Sequence, residues 1–305
     1  MKKRLLRAAL CTLPPMLLCM AVRLLPDFAA RWSAWVARPM LQTIALIGGR
    51  LPFPLMEWGV LALLVALCIG FIYRLCRRGV LHAAVCTLKR ICLLLMALVW
   101  LLAALWYPLY FAEAPLRITV TSAQLAASCR TLIDDLNADS LDFSEVPDDL
   151  PAKYAAFPGW MQVLNLAGFA PFLTGEALIS PELPNAAVPF VAVHESMHTL
   201  GHADEGRTNL AAWAECLRRG RVYADSARLW ALKDSLELLR RMDSDAWSSI
   251  RSELPPQLEQ LLTQLGGETA PPGDAALAVL APLGLAESVQ NYEILALYLA
   301  AEMPI

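Results

Sequence analysis

Hydrophobic residues dominate the first third of the chain, where they form three long runs. The runs are Leu5–Leu25, Leu55–Tyr73 and Ile91–Phe111. A hydrocarbon layer about 30 Å thick needs roughly 20 helical residues to cross it, so each run is long enough for a membrane span. The first run resembles a secretory signal peptide, but no A-x-A-like cleavage site follows it and two further runs come after it. The pattern therefore predicts three transmembrane helices.

Beyond Phe111 the apolar periodicity becomes that of amphipathic helices separated by short breaks. A Thr121-Ser122 cap and the turn residues around Glu176–Ser180 mark a helix start and a strand, respectively. The predicted helices are Ala123–Asn137, Val188–Leu200, Glu205–Arg219, Ala224–Arg241, Asp245–Leu265 with a break at Pro255-Pro256, and Leu285–Met303. The predicted fold is mainly α: a membrane domain over residues 1–111, then an α+β domain with little sheet over residues 112–305.

The charges are divided unevenly between these two parts. Up to Phe111 there are 13 Lys or Arg residues and two acids, whereas the remainder has 12 basic and 26 acidic residues. An acidic second part argues against nucleic-acid binding, because phosphate contacts need clustered positive charge. The expected partners are the lipid bilayer and a peptide or protein substrate, and the sequence leaves the oligomeric state open.

The basic residues also predict an orientation in the membrane. Nine of them lie at the N-terminal end of the first run or between the second and third runs, and four lie in the segment from Arg23 to Arg50. The positive-inside rule places the side with more basic residues in the cytoplasm. The expected location is thus the cell membrane, with several spans and an extracytoplasmic C-terminal domain.

Cysteine usage gives one further expectation. Six of the eight cysteines lie in or beside the apolar runs, whereas Cys129 and Cys216 belong to the second part. In an oxidising compartment these two could form a disulfide, and two buried free thiols are the alternative.

The strongest chemical signal is the sequence from His194 to Glu205, which contains the pattern H-E-x-x-H. Residues four apart on a helix share a face, so His194 and His198 can bind one metal ion while Glu195 addresses a metal-bound water. This arrangement is a zinc hydrolase signature, and it predicts Zn²⁺ as the cofactor and Glu195 as the general base. The structural alternative is an amphipathic helix whose two histidines are satisfied by hydrogen bonds.

A catalytic zinc site needs a third protein ligand, and the sequence offers more than one. Glu205 at the start of the next helix is favoured over Asp204, because Asn209 one turn later could orient a ligand. Glu215 is a weaker third choice. His202 follows the helix-ending Gly201, so it is expected to contact a carboxylate or solvent rather than the metal.

Two further features have both a functional and a structural interpretation. The strand Glu176–Ser180 could pair with an extended substrate, or it could be a purely structural strand. Tyr292, near the start of the last predicted helix, could hydrogen-bond an oxyanion, although a single Tyr is more often the edge of a core.

The stretch Gly168–Ser180, the run Val188–Gly201, and Glu205 with Asn209 resemble the bacterial membrane proteins grouped as domain of unknown function 3810. Those proteins are thought to be zincin-like membrane metallopeptidases. The resemblance implies a zincin-like domain with Glu205 as third ligand. Family members usually carry a second Glu two residues after the first, followed by Ala-Asn, whereas this chain has Arg207, Thr208 and Asn209.

The expected function is peptide-bond hydrolysis by a membrane-anchored zinc metallopeptidase. Intramembrane proteolysis is less favoured, because no apolar run of spanning length surrounds His194. The alternative from another class is a catalytically silent, metal-stabilised domain that binds a partner or a cell-wall component. A transporter is a more distant alternative, since three spans without intramembrane charge pairs offer no pathway.

Overall fold

The computed structural model describes residues 2–136, 141–266 and 293–302. The chain forms two compact units. Unit 1 comprises Met1–Ala114 with Pro171–Glu176, and unit 2 comprises Pro115–Ala170 with Ala177–Ile305. The chain thus passes from one unit to the other close to the predicted boundary at Phe111, and it returns to unit 1 for one short segment.

Unit 1 is helical through most of its length. Its α-helices are α1 (Lys2–Leu24), α2 (Pro26–Trp32), α3 (Arg38–Gly48), α4 (Leu55–Arg78) and α5 (Val80–Leu101). A π-helical turn, Ser33–Ala37, joins α2 to α3, and a π-helical and a 3₁₀ turn extend α5 to Phe111. The connection between the first two apolar runs, Pro26–Pro54, is therefore largely helical.

Two helices of unit 1 are long and apolar enough to cross a membrane, namely Leu55–Arg78 and Val80–Phe111. The first predicted span meets the same criterion only as part of a pair, Thr12–Leu24 with Pro26–Gly48, which is bent by 115°. The bend lies at Leu25, whose φ of −126° and ψ of 85° are not helical. A residue before proline is driven out of the helical region by the proline ring, and Pro26 follows Leu25. The described residues thus contain two or three possible spans.

The segment Pro171–Glu176 completes unit 1 by capping α4. The Glu176 side chain is fully buried, and its two carboxylate oxygens accept the backbone N–H groups of Leu55 at 2.7 Å and Met56 at 2.8 Å. A carboxylate at a helix N-terminus satisfies free N–H donors and interacts favourably with the helix dipole. Glu176 is accordingly a helix cap and not, as predicted, the first residue of a strand.

Unit 2 is mainly helical with a small sheet. Its helices are α6 (Ser122–Leu136), α7 (Gly159–Val163), α8 (Val188–Thr199), α9 (Glu205–Arg219), α10 (Arg221–Met242), α11 (Ser244–Glu253), α12 (Pro256–Gln264) and α13 (Ile294–Ala301). Its strands are β1 (Lys153–Tyr154), β2 (Gly168–Phe169) and β3 (Leu178–Ile179). The mainly α prediction is confirmed, and Asp245–Leu265 divides into α11 and α12 at the predicted proline break.

Helix α10 is the centre of unit 2, where it packs against α6, α8, α9, α11 and α13. Leu229, Leu232 and Leu239 of α10 are fully buried in a core shared with these helices. The start of α6 is fixed locally: Thr121 Oγ1 accepts the Gln124 N–H, and the Gln124 side chain accepts the Thr121 N–H. This reciprocal capping box confirms the helix start predicted at Thr121-Ser122.

Strand β3 occupies the middle of the sheet, in the order β1-β3-β2. It runs parallel to β1 and antiparallel to β2, with Ile179 opposite both Tyr154 and Gly168. A strand with neighbours on both sides has no free backbone edge for a substrate. The suggestion that Glu176–Ser180 adds an extended substrate to the sheet is therefore wrong, and β2 is an edge strand among the described residues.

Cys129 and Cys216 are both fully buried and free. Burial raises the pKa of each thiol to about 12. A thiol with so high a pKa is uncharged at neutral pH and poorly nucleophilic. Of the two alternatives from the sequence, the structure shows the pair of buried thiols.

Candidate metal centre

Helix α8 carries the H-E-x-x-H pattern and is fixed at its start by a neighbouring helix. The residues Val188–Val193 are buried on every side, as expected for a helix that is apolar all round. Ala187, at the N-cap position, has no side chain to accept a hydrogen bond. Ser226 of α10 replaces it: its Oγ accepts the Phe190 N–H at 3.1 Å and donates to the Ala186 carbonyl at 2.6 Å.

The end of α8 is a backbone turn that also orients one histidine. Gly201 has a φ of +96°, its N–H donates to the His198 carbonyl, and the His202 N–H donates to the Met197 carbonyl. This pair of bonds is the Schellman motif, whose left-handed position favours glycine. The turn brings the His202 carbonyl to 2.6 Å from His198 Nδ1. With Nδ1–H as the donor, Nε2 of His198 is left as a lone-pair ligand.

Helix α9 then begins and brings Glu205 to the two histidines. Asp204 is its N-cap, and its side chain accepts the Arg207 N–H at 3.0 Å. Glu205 follows in the first turn, with Oε2 at 3.2 Å from His194 Nε2 and 3.5 Å from His198 Nε2. The structure therefore places Glu205 in the cluster, whereas the carboxylate of Asp204 caps the helix.

His194, His198 and Glu205 offer three ligand atoms at the corners of a small triangle. The two histidine Nε2 atoms are 3.2 Å apart, which makes the edges 3.2, 3.2 and 3.5 Å. Ligands about 2.0–2.1 Å from a tetrahedral zinc ion are separated by roughly 3.3–3.5 Å. Two imidazoles and one carboxylate at this spacing form a donor set whose atom separations suit a zinc ion.

Without a metal ion, the same groups pair with one another. Burial would lower the pKa of His198, but the Glu205 carboxylate outweighs it and raises this pKa to about 9. Burial would likewise raise the pKa of Glu205, yet His198 and His194 hold it well below its usual range. A metal ion bound at Nε2 of His198 would compete with a proton for this atom, so metal binding there is expected to depend on pH.

Glu195 lies beside the cluster and is nearly inaccessible, with 7% of its surface exposed. Burial raises the pKa of its carboxyl, while the charges of His194 and His198 act in the opposite direction. The backbone of β2 contacts this side chain closely: a Cβ added at Gly168 would lie 2.5 Å from both Cγ and Oε1 of Glu195. Position 168 therefore has no room for a side chain while Glu195 keeps this conformation.

The other residues that the sequence suggested for the site are not members of the ligand triangle. Glu215 pairs with Arg218 and Arg219 on its own helix, and Asn209 is buried one turn after Glu205. Tyr292 lies outside the described residues. Sequence reasoning did not find the His202 carbonyl or the role of Gly168. A glycine within a strand is a general sign of close backbone approach, and this signal was available for Gly168.

Residues 142–267 match the family described as "Protein of unknown function (DUF3810)". The match covers the sheet, the H-E-x-x-H helix and Glu205, and it supports the family resemblance seen in the sequence. No curated protein and no solved structure matched the chain.

Proposed function

We propose that this protein is a membrane-anchored, zinc-dependent metallopeptidase, in which His194, His198 and Glu205 hold the metal and Glu195 is the general base. The observation that carries the proposal is the ligand triangle, whose edges of 3.2–3.5 Å suit tetrahedral zinc. The buried carboxylate of Glu195 beside the triangle adds the group that hydrolysis needs.

The chemistry is divided between the metal and the chain. Bound zinc would lower the pKa of a water to about 7 and polarise the substrate carbonyl. Glu195 accepts the proton of the attacking water and passes it to the leaving amine. The two imidazoles and Glu205 remain fixed through the reaction, because α8 is held at both ends and Glu205 lies in the first turn of α9.

The burial of Glu195 supports its assignment as a base. A general base works best when its pKa approaches the pH at which it operates, and burial moves the pKa of this carboxyl upward from its ordinary value. Glu195 lies between His194 and His198 in sequence, and its carboxyl is close enough to both imidazoles for their charges to affect its pKa. It can therefore act on a water at the metal without being a ligand itself.

The proposal includes the cell membrane as the location and an extracytoplasmic catalytic unit. The apolar helices Leu55–Arg78 and Val80–Phe111 support the anchoring. The excess of Lys and Arg at the start of α1, at the end of α4 and in the first half of α5 supports a cytoplasmic position for those segments. An extended peptide would use the outer edge of β2, because β3 already pairs on both sides.

A metal-depletion experiment tests the function. Full-length protein purified in detergent is expected to cleave members of a broad peptide library, to lose this activity on chelation and to regain it when Zn²⁺ is added. Metal analysis of the same samples should show one zinc per chain before chelation and none after it. Wild-type protein that binds zinc but cleaves nothing would instead indicate the silent, metal-stabilised binding domain.

Substitution of Gly168 by alanine should impair hydrolysis more than metal binding. The new Cβ displaces the Glu195 carboxylate, and a shift of about 1 Å in a reacting group can cost up to 10²-fold in rate. We expect kcat/KM to fall by roughly 10-fold or more, with the zinc content unchanged. Gly159→Ala is the matched control, since a Cβ there meets nothing within 4 Å. An undiminished rate in Gly168→Ala would show that the contact does not position Glu195.

A further inference from the structure

Unit 2 carries an apolar surface that neither the core nor the metal centre explains. It consists of Phe157, Trp160, Val163, Leu164 and Phe169, which are named the apolar loop surface here. Val163 is 85% exposed and Leu164 is 59% exposed, and the two phenylalanines are exposed to 43% and 40%. Side chains of this size are normally withdrawn from water, and a group of them on a surface marks an interaction site.

The local structure brings these side chains together. Val163 and Leu164 follow Trp160 at i+3 and i+4, so the three share one face of α7 and the residue after it. Met161, on the other side of the helix, is fully buried and anchors α7 to unit 2. The ring of Phe169 on β2 meets Trp160 edge to face, with centroids 5.6 Å apart. The exposed face is therefore part of α7 and β2, and the buried Met161 side chain and the Trp160–Phe169 ring contact hold it in place.

The sequence around this surface is uncharged over an unusual length. No Asp, Glu, Lys, Arg or His occurs from Tyr154 to Gly175, a stretch of 22 residues. The stretch contains α7, β2 and several Pro and Gly residues, so it is not a spanning helix. A short apolar segment with Trp and Phe at its surface has the composition of segments that lie in the membrane interface.

The position of this stretch in the chain identifies the partner. Two residues after Phe169 the chain enters Pro171–Glu176, which belongs to unit 1 and caps the N-terminus of α4. Helix α4 is one of the two helices that are long and apolar enough to span a membrane. The uncharged stretch thus ends beside the first turn of a possible span, and the first turn of a spanning helix is expected near a membrane interface.

We propose that the apolar loop surface inserts into the interfacial layer of the lipid bilayer in which the protein is anchored. The partner is lipid, because the uncharged stretch that carries this surface continues directly into the segment that caps a possible span. The spans keep the surface at a high local concentration of lipid, so even modest apolar burial is sufficient for stable contact.

The proposed lipid contact also indicates which class of peptide is the substrate. This inference rests on the proposed peptidase function. Phe169 belongs to the apolar loop surface, and Gly168, the residue before it, contacts Glu195. The residue that contacts the general base is therefore the direct sequence neighbour of Phe169, which belongs to the surface proposed to contact lipid. The substrates expected at such a site are peptide segments held at the membrane surface, such as the region next to a lipid anchor or a span.

A fluorescence experiment on the full-length protein in lipid vesicles tests the contact without relying on activity. The six cysteines of the apolar runs are replaced by alanine, and an environment-sensitive fluorophore is attached to Val163→Cys. The emission should shift to the blue and be quenched by lipids carrying a nitroxide near the headgroup. Leu217→Cys on α9, which is also exposed and lies next to Arg218, is the matched control and should show neither effect. Equal, water-like emission at both positions would overturn the proposal, as would a blue shift at Val163 that appears only when peptide is added.

A second measurement addresses the substrate class. Peptides that the protein cleaves are compared with and without a palmitoyl chain, in the presence of vesicles. Wild-type protein should show a lower KM for the acylated form, and Val163→Asp with Leu164→Asp should lose this preference but keep its rate on the free peptide. If no peptide is cleaved, the proposed function fails while the fluorescence result still decides the lipid contact. If the preference persists in the double variant, the substrate-class step is wrong.

Discussion

Replacement of both His194 and His198 by alanine is expected to remove zinc from the purified protein and to abolish hydrolysis. The two imidazoles supply two of the three ligand atoms, so the double variant would keep only the Glu205 carboxylate of the ligand set. Metal analysis of full-length wild-type and variant proteins, purified side by side, measures the effect. His202→Ala is the control: His198 hydrogen-bonds to the backbone carbonyl of residue 202, which the substitution retains, so this variant should keep its zinc.

The same measurement separates Glu205 from Asp204 as the third ligand. Glu205→Ala should lose most of its zinc, because its Oε2 completes the triangle. Asp204→Ala removes a helix cap, which typically costs about 1 kcal/mol of stability, but it should keep the metal. Zinc that survives the double histidine replacement would exclude this site, and zinc lost from Asp204→Ala but not from Glu205→Ala would reverse the ligand assignment.

Glu195→Gln should keep its zinc and its fold while hydrolysis falls by roughly 10²-fold or more, the usual scale for a positioned general base. Glutamine has nearly the same shape as glutamate but cannot accept the proton of the attacking water. The comparison requires kcat/KM on a peptide that the wild type cleaves, together with the zinc content of both proteins.

Ser196→Ala is a suitable control for that substitution. Ser196 is the next residue on α8, and its hydroxyl donates only to the Val193 carbonyl of the same helix. It should therefore leave both the metal and the rate nearly unchanged. If Glu195→Gln hydrolyses peptides as fast as the wild type, Glu195 is not the base.

The sequence predicted the features that depend on local signals. The capping box at Thr121, the helix end at Gly201 and the helix from Glu205 to Arg219 each follow from residues within one turn of chain. The cluster of His194, His198 and Glu205 could be predicted from the sequence for the same reason, because a single short turn joins α8 to α9.

Features that depend on distant parts of the chain were not predicted correctly. The segment Glu176–Ser180 reads locally as a strand, but the Glu176 carboxylate caps α4, a helix more than 100 residues earlier. Gly168 could be recognised as unusual within a strand, but its neighbour Glu195 becomes apparent only when β2 packs beside α8. The cap that Ser226 supplies to α8 is a third case, since no local pattern links these two helices.

The fixation of α8 at both ends has a consequence for ion selectivity. Because Ser226 holds the first turn and the Schellman turn holds the last, the triangle of ligand atoms cannot widen easily. Calcium forms bonds of about 2.3–2.6 Å to six to eight oxygen ligands, so it does not suit a triangle of two nitrogens and one carboxylate. Magnesium prefers an octahedron of oxygen ligands. Under the proposed function, a donor set of two imidazoles and one carboxylate is expected to favour zinc, cobalt or nickel over calcium and magnesium, and availability in the cell would decide among these three.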